Sequence, residues 1–244
     1  MVVLWDIDGT LMRTPGVGVR AFVAAIEEVT GQNWAPQRLD FGGRTDPDIA
    51  ALLLAAVGIE DLSVVPAVLA ALIRRYAALD DDLRASVRVM PGVATALDAL
   101  GVHGVVQTTV TGNLEVVARQ KLAAARLADR LRLELGAFGS DLHADRSALV
   151  ELALSRVLAS GASVGREQVW VVGDTPRDLT AARAAGVRCL LVATGTFAYD
   201  ELSGIGADAV LPDLADVDRF LEALGVGSRP NSAPPAKAVS GWPV

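Results

Sequence analysis

The chain has 244 residues, 52% of them hydrophobic and 21% charged, with a formal net charge of −7. That is enough for a main globular domain with a sizeable core and an inserted second one. Aromatic residues make up 5% and no basic block stands out, which disfavours a nucleic-acid partner, because phosphate backbones call for concentrated Lys and Arg. A small anionic substrate stays open.

Val2 to Trp5 predicts a short strand buried on both faces. It ends in Asp6-Ile7-Asp8-Gly9-Thr10. Two carboxylates one residue apart repel each other, and a metal ion is the natural offset. Residues 12–31 contain an Ala-rich helical pattern, AFVAAIEEVTG, stopped by Gly31. Further helices are expected at 46–57, capped by Thr45 or Asp46, and at 64–80. All of 14–88 reads as helix or loop, with no strand.

After Pro91-Gly92 the rhythm changes. The helix VATALDALG leads to the apolar run VHGVVQTTV, which ends in Thr111-Gly112-Asn113. A helix at 114–126, a short strand near 133–138, a helix at 146–160 and the strand VWVVGD follow. Then come a helix near 177–185, the strands 187–192 and 207–211, and a last helix near 213–224. Alternating strands and helices predict a doubly wound parallel sheet, Rossmann-like, with an all-helical cap inserted after its first strand. The expected division is a core of 1–13 and 89–227, a cap of 14–88, and a disordered tail of 228–244 rich in Pro, Ser, Gly and Ala. No apolar run reaches the roughly 18 residues of a membrane span, no signal peptide is visible, and the single cysteine, Cys189, fits a reducing compartment. A cytoplasmic protein is expected, with Cys189 as a small buried hydrophobe.

Ligands of open parallel sheets bind beyond the carboxyl ends of the strands. The predicted strand ends carry Asp6 and Asp8, then Thr111 to Asn113, then Gly139-Ser140-Asp141, then Asp174 and Asp178 in GDTPRD. Acids and small hydroxyls therefore converge on one edge.

The stretches DIDGTL, TGN and VVGDTPRDLTAARAAGV together resemble the haloacid dehalogenase superfamily, in particular its phosphoglycolate-phosphatase-like members with a helical cap. The resemblance spans roughly residues 1–225. It implies a Mg²⁺-dependent phosphatase acting on a small phosphorylated metabolite, phosphoglycolate or similar, through an aspartyl-phosphate. Asp6 would be the nucleophile. Asp8 would protonate the leaving alcohol and then take a proton from the attacking water. The implied Mg²⁺ ligands are the Asp6 carboxylate, the Asp8 backbone carbonyl and Asp174, with Asp178 holding a bound water or orienting its neighbours. Gly9 would let the backbone turn closely past the phosphate and could donate its amide to it, with Thr10 counted beside it among the substrate-binding residues, and Thr111 with the amide of Gly112 or Asn113 would hold another phosphoryl oxygen.

One position departs from the pattern. The family's lysine near the start of the helix after the third strand is missing, and the only cation in GSDLHADRSALV is Arg146. Arg146 is assigned the role, ahead of Lys121, which is expected on a solvated helix face. His143 reads as a surface residue, His103 as structural at the start of the second strand, and Trp5 as core.

The cap should cover the site and exclude water. Its stretch FGGRTDPDI offers Arg44 for an anionic group of the substrate; Arg13 and Thr14 are weaker candidates, and Gly16 and Gly18 could lend hinge flexibility. A phosphosugar mutase on the same scaffold and a non-catalytic protein that kept the fold remain as alternatives. Asp8 argues against a dehalogenase. The absence of lysine between residues 12 and 90 argues against a phosphonate-cleaving enzyme.

Overall fold

A computed structural model of the chain describes residues 1–32, 41–141 and 146–227. Its centre is a parallel sheet that begins with β1 (Val2–Trp5). The chain then pairs two residues, β2 (Met12–Arg13), and enters helices α1 (Val17–Thr30), α2 (Asp46–Ala56), α3 (Val65–Ala78) and α4 (Asp80–Ser86). It returns through β3 (Arg88–Val89), antiparallel to β2. From there strands and helices alternate: α5 (Val93–Val102), β4 (Val106–Thr111), α6 (Glu115–Ala124), β5 (Ala137–Phe138), α7 (Arg146–Ala159), β6 (Val169–Gly173), α8 (Pro176–Ala184), β7 (Arg188–Val192), α9 (Tyr199–Ser203), β8 (Ala209–Leu211) and α10 (Val217–Leu224).

The sheet order is β5-β4-β1-β6-β7-β8, with every pairing parallel. After β1 the chain winds outward through β4 and β5, then crosses back to β6 on the other side. β1 therefore sits at the switch point, flanked by β4 and β6, where such sheets open a crevice at their carboxyl ends.

Side chains of a strand alternate between faces. Val3 and Trp5 turn into a layer with α5, α6 and α10, while Val2 and Leu4 turn into a layer with α7, α8 and α9. All four are fully buried, and each Val or Leu contributes roughly 1.5–3 kcal/mol relative to exposure. Trp5 is core, as expected, with its indole N–H donating to Gln107 Oε1 at 3.3 Å. Cys189 is likewise buried and free.

Helices α1 to α4 share their own cluster, centred on Phe22, Ile26, Leu53, Leu54 and Leu72. Leu114 and Val117, at the start of α6, join it. Thr45 caps α2, its hydroxyl accepting from the Asp48 N–H at 3.3 Å.

Several boundaries differ from the sequence reading. The β2–β3 ribbon stands where helix or loop was expected, because two-residue strands carry no readable period. Residues 133–135 form a 3₁₀ turn, leaving β5 only two residues long. His103 ends α5 instead of opening β4. His143 and the 228–244 tail lie outside the described residues. Among the described residues no single helix is long and apolar enough to cross a membrane.

Candidate active site

Three strand ends meet at the switch point. The Asp6 N–H still donates to Val172 O at 2.9 Å, so the first acid continues the ladder of β1 with β6. The chain then leaves the sheet at Ile7. Gly9 takes φ +89°, and a Cβ there would lie 2.4 Å from Asp174 Oδ2. Only glycine gives both the left-handed turn and that approach. Thr10 Oγ1 donates to Asp174 Oδ1 at 2.9 Å, and Thr194 Oγ1 donates to Gly9 O at 2.6 Å. The turn after β1 and the acid after β6 are thus fastened together.

Asp6, Asp174 and Asp178 each bring a carboxylate oxygen within 4.8 Å of the others, and all three are buried. Arg146, from the first turn of α7, puts Nη2 at 2.6 Å from Asp6 Oδ1 and 2.6 Å from Asp178 Oδ1. The other oxygen of Asp178 accepts from the Thr175 N–H at 3.0 Å and its hydroxyl at 2.8 Å. Asp178 thus closes the start of α8 while facing Arg146. Burial pushes Asp6 up to about 6, against the pull of Arg146. Burial, with Asp6 and Asp178 nearby, pushes Asp174 up to about 8. One guanidinium does not neutralise three carboxylates. An all-oxygen set this crowded fits a hard divalent cation.

The second acid stands apart. Asp8 accepts from Asn113 Nδ2 at 2.7 Å and from Lys121 Nζ at 2.9 and 2.7 Å through its two oxygens. Lys121 Nζ also donates to Asn113 Oδ1 at 2.7 Å. Thr111 Oγ1 accepts from Asn113 Nδ2 at 2.8 Å. The expectation that Lys121 lies on a solvated face is therefore wrong: it is 4% exposed. Burial works against its ammonium, but Asp8, Tyr76 and Asp46 outweigh it and hold its pKa above the usual lysine range. The two cations meet different acids, Arg146 meeting Asp6 and Asp178 and Lys121 meeting Asp8. The helical period contained the clue, since Lys121 shares the buried stripe of α6 with Val117, Ala118 and Leu122.

These groups open into a cavity of about 520 Å³ between the sheet and the four helices. Asp6, Asp8, Gly9, Thr111, Gly112, Asn113, Lys121, Arg146 and Asp174 line its floor, while Phe22, Arg44, Asp46 and Tyr76 come from the helical side. Arg13, Thr14, Gly16 and Gly18 also line it, and Arg13 Nη2 donates to Thr194 O and, at 2.6 Å, to Gly195 O. The sequence singled out Asp46 only as a possible cap of α2 and gave no sign of Tyr76; both line the cavity. Burial pushes Asp46 up to about 6, against the charge of Lys121 and a hydrogen bond from Leu114.

A family model described as haloacid dehalogenase-like hydrolase matches residues 3–192. A probable phosphatase, IndB, of Dickeya dadantii is 30% identical over 232 residues, covering 92% of each chain. A phosphoglycolate phosphatase of Rhodospirillum rubrum is 30% identical over 227 residues, covering 90% of each. The crystal structure of CbbY from Rhodobacter sphaeroides in complex with phosphate superposes with a TM-score of 0.70, at 22% identity, over 88% of this chain and 95% of that one. The chain belongs to the haloacid dehalogenase-like hydrolase family. It is an enzyme of the family's phosphatase class.

Proposed function

We propose that the chain hydrolyses a small phosphomonoester through a phosphorylated Asp6. The observation that carries the reading is the Asp6 carboxylate, buried against Arg146 Nη2 at 2.6 Å and open to the cavity. A nucleophile needs an unprotonated oxygen, and Arg146 favours the ionised form.

In the first step an Asp6 oxygen attacks phosphorus. The bond to the ester oxygen breaks, and Asp8 gives that oxygen its proton. In the second, water attacks the phosphorus of the aspartyl-phosphate, Asp8 takes the water's proton, and inorganic phosphate leaves with Asp6 restored. Asn113 and Lys121 aim Asp8 at the leaving oxygen. Thr111 and the amides of Gly9, Gly112 and Asn113 would receive phosphoryl oxygens, and Arg146 would balance their charge. Asp6, Asp174 and the Asp8 carbonyl would hold a divalent cation, Mg²⁺ in this reading, with Asp178 steadying the set. Bound there, it would supply charge neutralisation for the phosphoryl oxygens. Arg44, on the cavity wall, is assigned to the distal end of the substrate.

The Rhodospirillum relative makes phosphoglycolate the first substrate to try, within a class of small phosphorylated metabolites. The test is phosphate release from a panel of phosphoglycolate, sugar phosphates and nucleotides with Mg²⁺, beside Asp6→Asn. Release by the wild type alone supports the reading; equal release by Asp6→Asn refutes it.

A further inference from the structure

The helix that carries Lys121 lacks its own N-terminal cap. The residue at the N-cap of α6 is Leu114, whose side chain cannot accept a hydrogen bond. Ser140 Oγ, from the sheet side, accepts from the Glu115 N–H at 3.1 Å, and Asp46 supplies the acceptor for Leu114 from the helical side. Its Oδ2 takes the Leu114 N–H at 2.7 Å, and its own N–H donates to Gly112 O at 2.7 Å. The two bonds close a ring between the start of α2 and the loop after β4. A carboxylate there also faces the positive end of the α6 dipole.

The fit is tight on both sides. Asp46 is 6% exposed. A Cβ on Gly112 would lie 2.2 Å from Arg44 O, so the loop after β4 needs glycine for the helical domain to seat. One helical turn before its end, α6 is held again: Gln120 Nε2 donates to Tyr76 O at 3.0 Å and to Asp80 Oδ1 at 2.9 Å. Leu114 and Val117 pack in the hydrophobic cluster of α1 to α4. By connectivity α6 belongs to the sheet domain; by contact it is held by the cap.

We infer that Asp46 is a positioning residue: by completing the N-terminus of α6 it makes the seating of the cap and the setting of Asn113 and Lys121 on Asp8 a single event. Asp6, Arg146 and Asp174 come from the sheet side, where the cap makes one direct bond, Arg146 Nη1 donating to Gly43 O at 3.4 Å. The acid–base side is complete only with the cap in place, which ties proton delivery to exclusion of water from the cavity.

The test uses the full chain with Asp46→Ala and Asp46→Asn. Asparagine keeps an oxygen for the Leu114 N–H; alanine does not. Amide hydrogen exchange of residues 114–117 should quicken roughly tenfold in Asp46→Ala, the size of a lost cap, with α5 and α8 unchanged. Asp46→Asn should stay within about threefold of wild type. In turnover, which rests on the phosphatase reading, Asp46→Ala should lower kcat about 10- to 100-fold with KM moved far less, and Asp46→Asn should recover most of it. Unchanged α6 exchange in Asp46→Ala overturns the inference, as does Asp46→Asn falling as far as alanine. Should α5 and α8 also lose protection in the alanine variant, Asp46→Leu, which keeps the branched shape of the side chain and offers no acceptor, takes its place under the same criteria. The exchange arm decides the matter even if no phosphoester is turned over, so the two readings fail separately.

Discussion

Lys121 Nζ lies 2.7 Å from Asp8 Oδ2, and this contact joins a buried cation to the acid proposed to protonate the leaving group. The Lys121 side chain is 5% exposed and that of Asp8 44%. A half-exposed carboxylate makes the pair worth little to stability. Its value is in orientation. Lys121→Met, similar in volume, should change the unfolding free energy by less than about 1 kcal/mol while lowering kcat at least tenfold. Urea melts and phosphate-release kinetics on one preparation check both. Unchanged kcat would mean that Lys121 does not serve Asp8.

Arg146 poses the opposite case, because both its partners are buried. Arg146→Met strands the carboxylates of Asp6 and Asp178, a loss of about 3–5 kcal/mol when one partner of a buried pair is removed. Both acids meet the single nitrogen Nη2, so an ammonium could stand in that place. Arg146→Lys should therefore keep more stability and more turnover than Arg146→Met. Equal loss in the two variants would show that the planar guanidinium is needed.

The acid cluster fixes the sign of a pH effect. Asp6 and Asp46 are each pushed up to about 6 from 3.8, and Asp174 to about 8, all chiefly by burial. Folded-state values above the unfolded ones mean that the metal-free fold holds protons more tightly than the unfolded chain. This stability is complete below about pH 4 and is lost as pH rises through about 6 and on to about 8. Chelated protein should melt at progressively lower temperature across that window. Millimolar Mg²⁺ at pH 7.5 should raise Tm by roughly 5 °C, as a ligand at about a hundred times its Kd does for a chain of this size. No Mg²⁺ shift at that pH would contradict the metal assignment.

Much of the site was legible because it rests on strands. β1 and β6 are buried on both faces and read as continuous apolar runs, so the acids after them fall at the sheet edge without knowledge of the third dimension. Arg146 was legible as the only cation in its segment. Lys121 was misread because its surroundings include Tyr76 and Asp46, which lie 45 and 75 positions away in the chain. Its place on the stripe of Val117, Ala118 and Leu122 was the available sign. The β2–β3 ribbon left none, since a pair of two-residue strands follows from the chain leaving and re-entering the sheet domain.

In the proposed reaction Asp6 carries the phosphoryl group. The most direct measurement is an acid quench of the enzyme turning over a ³²P-labelled phosphomonoester with Mg²⁺, followed by peptide mapping. Label is expected on the N-terminal peptide containing Asp6, lost on treatment with hydroxylamine as an acyl-phosphate is, and absent in Asp6→Asn. Steady turnover with no labelled peptide, together with an active Asp6→Asn, would contradict it.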